Sequence, residues 1–204
     1  MNQLDERDKT MCRSWQKSVF GPRYVGLDYA EMKMDADLRK PFQSWMKDPR
    51  GFCVISGSFG CGKTALGSSL IPYLYRLGVL DAYYVTEKDF FGQLKSTFGQ
   101  SGSARDHIRE TYSGSFVFYD DLGTVAPKEE QDGNWRRDML FDLIDLRYSL
   151  HGGRENLAGT IITTNLTKES LVSVYGPRIA DRILADENTW IDTQHLESAR
   201  QHGM

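Results

Sequence analysis

Hydrophobic positions along the chain form short apolar runs that alternate with amphipathic stretches. Runs bounded by glycine or polar residues have the length of buried strands, and they lie at 51–56, 82–86, 115–119, 159–163 and 189–192. Apolar residues at helical spacing predict helices at 28–47, 63–76, 88–97, 104–111, 167–174 and 177–185, with a further amphipathic helix after residue 134. This alternation predicts an α/β protein whose parallel sheet is covered by helices on both faces.

Residues 1–25 are polar, contain scattered aromatic residues and show no clear period, so we interpret them as an N-terminal arm and a candidate partner-binding segment. Residues 26–204 then form one domain, which is an ordinary size for a single core. The start lacks the apolar stretch of a signal peptide. No apolar run approaches the roughly 18 residues that cross a bilayer.

Charge and cysteine content indicate how the protein could bind nucleic acid and in which redox compartment it is expected. The 25 basic and 28 acidic side chains give a net charge of −3, so nucleic-acid binding must depend on a local patch rather than on the whole surface. Three cysteines cannot form a disulfide framework among themselves, and none lies in a zinc-binding pair. We therefore expect a cytoplasmic protein in a reducing compartment.

A phosphate-binding loop connects the first predicted strand to the helix that follows it. The segment Gly57-Ser-Phe-Gly-Cys-Gly-Lys-Thr64 matches G-x-x-x-x-G-K-[ST]. Its glycines allow backbone N–H groups to point at phosphate oxygens, Lys63 would neutralise the β- and γ-phosphates of ATP, and Thr64 would ligate Mg²⁺. The expected nucleotide-binding residues are Gly57, Ser58, Phe59, Gly60, Cys61, Gly62, Lys63, Thr64 and Ala65.

An acidic pair ends the third predicted strand, where a phosphate-binding loop requires a partner for Mg²⁺. We expect Asp120 to be the metal-side acid and Asp121 to orient or deprotonate an attacking water. Aspartate is one methylene shorter than the glutamate that usually activates this water. Slow turnover is therefore an open alternative.

Two further polar features follow in the second half of the chain. Asn165, at the tip of the fourth strand, would face the γ-phosphate or, alternatively, cap the next helix. Arg178 and Arg182 are four residues apart on one helix face. They form either a solvated surface or a pair that serves the nucleotide of a neighbouring subunit.

The segments GSFGCGKT, FVFYDDLG, IITTNL and YGPRIADRI, in this order, resemble the AAA+ ATPases of the DnaC/DnaI helicase-loader and IstB transposition-helper group. The resemblance covers about residues 20–200 and makes 26–204 the ATPase domain. It implies a sheet of order 5-1-4-3-2, no C-terminal lid, and ATP bound at a subunit interface of a self-associating protein. It also implies that Asn165 is the first sensor, that Arg182 is an arginine finger acting in trans with Arg178 as its companion, and that Arg200 lies in a C-terminal arginine motif.

The same resemblance implies a single-stranded DNA site after the second strand. A lysine followed three residues later by phenylalanine occurs here as Lys95 and Phe98. A lysine suits a phosphate and an aromatic ring suits a base, with stacking worth about 1–3 kcal/mol per base. Arg105 and Arg109 on the next helix could extend the groove. The open alternative is that Phe98 belongs to the core and Lys95 is a solvated charge.

Four functions remain open from the sequence. The first is an ATPase that assembles on single-stranded DNA and loads or remodels a replicative helicase, its helicase-binding element being reduced to a short arm, absent, or supplied by another protein. The second is an IstB-like transposition helper that binds duplex DNA and a transposase. The third is a nucleotide-dependent adaptor with little hydrolysis. The fourth, a small-molecule kinase, fits less well, because the Asn165 tip and the arginine pair suit a self-assembling ATPase.

Overall fold

The strand order of the sheet agrees with the expectation from the sequence. The computed structural model describes residues 4–32, 34, 36–79, 81–98, 103–114, 116–124, 133–150 and 159–193, so Arg200 lies outside the described residues. Within these ranges five parallel strands form one sheet of order β2-β3-β4-β1-β5. They are β1 (Phe52–Ser56), β2 (Ala82–Thr86), β3 (Phe116–Leu122), β4 (Thr160–Thr164) and β5 (Thr189–Asp192). The predicted order 5-1-4-3-2 is confirmed.

The sheet separates two hydrophobic cores, because residues on its strands alternate between the faces. One core contains side chains of α1 (Glu6–Phe20), α2 (Ala36–Lys47), α3 (Lys63–Ser69) and α4 (Ile71–Arg76). The other contains those of α5 (Glu87–Ser96), α6 (Ala104–Tyr112), α7 (Gly133–Ser149), α8 (Lys168–Tyr175) and α9 (Pro177–Ile183). The central strands β1 and β4 are buried along their whole length, as expected for a sheet covered on both sides.

The carboxyl ends of the three central strands meet at one edge, which positions the candidate site. Ser56 at the end of β1 pairs with Thr164 at the end of β4. On the other side of β4, the pairing with β3 shifts register between Tyr119 and Leu122. The two acids lie in this irregular stretch, and strand β3 continues past them to Leu122.

Helix α1 occupies residues for which the sequence showed no period. Asp5 caps it by accepting from the Asp8 N–H, and its buried side chains are Cys12 and Gln16. Only a narrow part of the helix is buried, so its apolar pattern is weak. The segment interpreted as an arm thus packs against the same face of the sheet as α2, α3 and α4.

One predicted helix is shorter than expected, and a second is divided into two helices. The helix predicted at 28–47 is α2, which begins at Ala36, and Pro41 lies inside it. The helix predicted to run from Lys63 to 76 is divided at Leu70 into α3 and α4. Proline cannot donate a backbone hydrogen bond, and Pro72 stands at the start of α4. The carbonyls of Ser68 and Ser69 instead accept bonds from Gln16 and the Tyr29 N–H.

Arg147 on α7 is fully buried and joins three parts of the chain. Its guanidinium donates to the Tyr112 and Gly114 carbonyls at 2.8 and 2.9 Å, and to the Gly159 carbonyl and Thr160 Oγ1 at 2.9 and 2.8 Å. Burial lowers its pKa to about 10, so the side chain stays charged at neutral pH. The arginine links the end of α6 and the start of β4 to α7.

None of the helices in the described ranges is long and apolar enough to cross a lipid bilayer.

Candidate nucleotide site

The phosphate-binding loop lies between β1 and α3 and is closed around its own lysine. Gly60 and Gly62 have φ of 81° and 92°, a conformation that glycine adopts without a steric penalty. Lys63 is 7% exposed. Its Nζ donates to the Gly57 and Ser58 carbonyls at 2.8 and 2.9 Å. The ammonium group is therefore held at the mouth of the loop, where phosphate oxygens could replace the carbonyls.

Asn165 completes the surroundings of Lys63 from the end of β4. Its Oδ1 accepts from Lys63 Nζ at 2.8 Å. The alternative role as a helix cap is wrong, because the side chain of Thr167 caps α8 by accepting from the Ser170 N–H. A polar side chain at the end of a neighbouring strand thus reaches the lysine of the loop.

The remaining predicted loop residues line or surround the same turn. Gly57 is required sterically, because a Cβ there would lie 1.8 Å from Thr193 Oγ1. Cys61 Sγ is 3.2 Å from the same oxygen. Phe59 is 74% exposed, so its ring lies outside the core, and Ser58 and Ala65 are partly buried.

The carboxylate of Asp120 is buried and surrounded by hydroxyl groups. It is 4% exposed, and its Oδ2 accepts from Thr64 Oγ1 at 2.9 Å and from Tyr84 Oη at 2.8 Å. Its Oδ1 accepts from Thr163 Oγ1. The sequence predicts Thr64 and Asp120 as the metal side of the site, and the structure brings them into contact.

These residues fit Mg²⁺ by their chemistry. Mg²⁺ prefers oxygen ligands and is usually bound by one or two carboxylates together with substrate phosphates and water. One hydroxyl and one carboxylate meet here beside the phosphate loop. Within the described ranges, no cluster of three His, Cys, Asp or Glu side chains offers a separate metal cage. Thr64 and Asp120 are therefore the residues that would hold the ion.

Asp121 has an unusual backbone conformation. Its φ is +61°, a region that non-glycine residues rarely adopt and that is often found at functional sites. Its N–H donates to Thr163 Oγ1 at 3.0 Å. Thr163 thus contacts both acids, and the left-handed turn orients Asp121 differently from a residue in a regular strand.

Arg178 and Arg182 lie on α9, and both contact α7. Their guanidinium carbons are 4.0 and 4.6 Å from the centre of the Phe141 ring. Arg182 also donates to Asp145 Oδ1 at 2.7 Å. Arg178 is exposed. The structure brings the two arginines together but holds them on the α7 side of the chain, not beside Lys63.

The predicted DNA residues lie on α5, just after it, and on α6, and Lys95, Phe98 and Arg105 each contact a residue of α7. Phe98 is 61% exposed, so the alternative that it belongs to the core is wrong. Its ring lies 5.3 Å from that of Trp135, and Lys95 Nζ lies 6.0 Å from the same indole. Arg105 donates to Asp142 at 2.7 Å, whereas Arg109 is exposed.

Sequence reasoning missed Tyr84, Thr163 and Trp135. The two hydroxyl residues stand inside apolar strand patterns, where they are expected to pack rather than to donate. Trp135 follows a glycine-rich and acidic stretch that has the composition of a loop. A pairing argument from the parallel strand order could have found Tyr84 and Thr163, because both strands neighbour β3.

No protein-family profile and no curated protein sequence matches the chain. Among solved structures, a DnaC helicase loader aligns with a TM-score of 0.63 at 21% identity, over 83% of this chain and 98% of that one. A DnaI structure aligns with a TM-score of 0.63 at 20% identity, over 85% and 95% of the two chains. A replication initiator DnaA bound to AMPPCP and single-stranded DNA aligns with 0.64 at 15% identity, over 86% of this chain and 51% of that one.

These alignments confirm at the level of the fold the likeness that the ordered motifs predicted. The DnaC and DnaI chains are matched over nearly their whole lengths, whereas this chain spans about half of the DnaA chain. The described residues therefore share the fold of the solved DnaC and DnaI structures, with the AAA+-like strand order that the motifs predicted.

Proposed function

We propose that the protein is a cytoplasmic ATPase of DNA replication that assembles on single-stranded DNA and loads or remodels a replicative helicase. The observation that carries this proposal is the convergence of Lys63, Thr64, Asp120 and Asn165 at the carboxyl ends of three neighbouring strands. A cation, a hydroxyl, a carboxylate and an amide in this arrangement suit the binding of a nucleoside triphosphate and its hydrolysis.

In the proposed reaction Lys63 moves from the loop carbonyls to the β- and γ-phosphates of ATP. Asn165, released from Lys63, orients the attacking water together with Asp121, which accepts its proton. Thr64 and Asp120 would hold Mg²⁺, which would supply charge neutralisation at the phosphates. Arg182 of a second subunit stabilises the developing negative charge, with Arg178 beside it. In a lone subunit the contacts with Phe141 and Asp145 keep both arginines ordered on α9.

Binding of single-stranded DNA is supported by the surface of Lys95, Phe98 and Trp135. Two aromatic rings 5.3 Å apart with a lysine beside them offer stacking for bases and a cation for a phosphate, without base-specific contacts. Arg109 is exposed on α6 and would offer a further cation to the phosphates of the DNA strand. The DnaA structure bound to AMPPCP and single-stranded DNA has a similar fold, which supports this combination of ligands.

The first test is steady-state ATP hydrolysis, alone and with single-stranded or duplex DNA. We expect turnover that single-stranded DNA stimulates, and no turnover above background for Lys63→Ala. A protein that responds to duplex DNA alone would instead be a transposition helper.

ATP binding without turnover would make the protein a nucleotide-dependent adaptor. The specific observation in favour of this second candidate is Asp121, a shorter acid than glutamate that is held with a φ of +61°. Asp121→Glu tests this explanation of an inactive wild type, because a longer acid that restores turnover would identify the reach of this side chain as the limiting feature.

A further inference from the structure

The hydroxyl of Tyr84 donates to the carboxylate that is proposed to hold Mg²⁺. Tyr84 lies on β2, next to β3 in the sheet, and its Oη is 2.8 Å from Asp120 Oδ2. The same oxygen accepts from Thr64, and the other oxygen accepts from Thr163. A tyrosine phenol carries its proton at neutral pH and an ionised carboxylate can only accept, so Tyr84 acts towards Asp120 as a donor.

The ring of Tyr84 is held by the N-terminal helix. Phe20, the last residue of α1, has its ring centre 5.0 Å from that of Tyr84 and 5.0 Å from that of Phe118. Gly67 allows α3 to approach these rings, since a Cβ there would lie 3.3 Å from Phe118 and 3.5 Å from Phe20. Phe20 also lines a small pocket together with Lys63, Thr64, Tyr84 and Asp120. One wall of the metal side of the site is thus contributed by α1.

Helix α1 is fixed in this position by a buried glutamine. The Nε2 of Gln16 donates to the Ser68 carbonyl of α3 at 3.0 Å and to the Leu27 carbonyl at 2.6 Å. Its Oε1 accepts from the Gly26 N–H at 2.8 Å. Because α3 begins with Lys63 and Thr64, α1 is bonded to the helix that carries the phosphate-binding residues.

We propose that Tyr84 is a positioning residue that orients Asp120 for Mg²⁺, and that α1, through Phe20, keeps Tyr84 in place and so sets the Mg²⁺ dependence of nucleotide binding. A carboxylate that turns freely is a weaker ligand than one fixed by donors, and loss of such a partner typically lowers metal affinity by about 10–100-fold. A partner protein that moved α1 would therefore change the Mg²⁺ requirement of the site. The inference rests on the proposed function, since it concerns the same nucleotide site.

The test is a titration of a fluorescent ATP analogue at a series of Mg²⁺ concentrations and in EDTA. Mg²⁺ should increase the affinity for the analogue. For Tyr84→Phe we expect the Mg²⁺ concentration that gives half of this increase to rise about 10-fold, while the affinity in EDTA stays at the wild-type value. For Phe20→Leu, which keeps an apolar side chain but removes the ring, we expect a rise in the same direction. A general loss of structure would lower the affinity in EDTA as well.

Tyr83→Phe is the matched control. The neighbouring tyrosine packs against the other core, and its hydroxyl lies 3.4 Å from Gln93 Oε1 rather than at the site. Tyr84→Phe with the Mg²⁺ dependence of the wild type overturns the inference. If Phe20→Leu has the Mg²⁺ dependence of the wild type while Tyr84→Phe requires more Mg²⁺, the proposed role of α1 is overturned. A wild-type protein that binds no nucleotide overturns the proposed function itself, and the inference with it.

Discussion

At the scale of single residues, the arginine pair on α9 makes the most specific prediction about catalysis. Arg182→Ala should leave ATP binding intact and lower hydrolysis by about 10³-fold or more, the usual contribution of an arginine finger. A nucleotide titration and a turnover assay on the same samples measure both quantities. ATP binding should not depend on Arg182, because it contacts Phe141 and Asp145 and is proposed to act on the phosphates of a neighbouring subunit.

Mixing two inactive variants tests whether the arginine acts in trans. Arg182→Ala retains an intact phosphate loop, and Lys63→Ala retains the finger, so mixed assemblies should regain activity that neither variant has. Asp145→Asn is the control, because it removes the negative charge that faces Arg182 at 2.7 Å without removing the cation. Failure of the mixture to regain activity, with assembly intact, would show that the finger does not act across subunits.

A second prediction concerns DNA binding by Phe98 and Trp135, whose rings are in contact. Phe98→Ala and Trp135→Leu should each weaken single-stranded DNA binding by about 1–3 kcal/mol, the value of one stacked base, with unchanged ATP affinity. Fluorescence anisotropy of a labelled oligonucleotide measures the effect. Val172→Ala removes an exposed apolar side chain from α8 and should leave the anisotropy curve unchanged. If Phe98→Ala behaves like this control, Phe98 makes no contact with bases.

At this scale the sequence predicted residues of local motifs and Asn165 at a strand tip, and it missed the two hydroxyl residues that act from within neighbouring strands. Lys63, Thr64 and Asp120 follow apolar runs in patterns that specify their chemistry. Tyr84 and Thr163 carry no such signal, because their role depends on the order of strands and on which side of β3 each neighbour lies. Those are long-range properties, which no window of the sequence contains.

At the scale of elements, helix α1 depends on one buried polar side chain. Gln16→Leu keeps the volume of the side chain but leaves the Ser68 and Leu27 carbonyls and the Gly26 N–H without their partner. A buried polar group without a partner costs about 1–3 kcal/mol, so we expect the free energy of unfolding to fall by about 2–3 kcal/mol. Urea denaturation measures this free energy of unfolding. Lys17→Leu, on the exposed side of the same helix, should change it by less than about 0.5 kcal/mol.

The elements themselves were predicted unequally, for physical reasons. Strands β1, β2 and β4 are short runs of apolar, aromatic and β-branched residues and were found almost to the residue. Helix α1 was missed, because its contact with the sheet depends on Gln16 and on aromatic residues at its end rather than on an apolar stripe. The end of α3 at Ser69 was missed because it depends on carbonyl partners from distant segments.

At the scale of the whole molecule, loss of the Arg147 guanidinium should cost more stability than loss of the Gln16 amide. Arg147→Met leaves three carbonyls and the Thr160 hydroxyl without their donor, and each unpaired buried group costs about 1–3 kcal/mol. We expect the free energy of unfolding to fall by about 3 kcal/mol or more, measured by urea denaturation. Arg109→Met, at an exposed arginine of α6, should be nearly neutral. Equal midpoints for the two arginine variants would contradict this account.

The central position of β4 in the sheet has a consequence for how the chain folds while it is being synthesised. Strands β1 and β3 are separated in the sheet by β4, which leaves the ribosome after both of them. Lys63 and its partner Asn165 are 102 residues apart, and contacts between such distant residues form late because a long loop must close first. A nascent chain that ends before β4 therefore carries the phosphate-binding sequence without the partner of Lys63, and we expect the proposed affinity for nucleotide to appear only when β4 enters between strands that are already made.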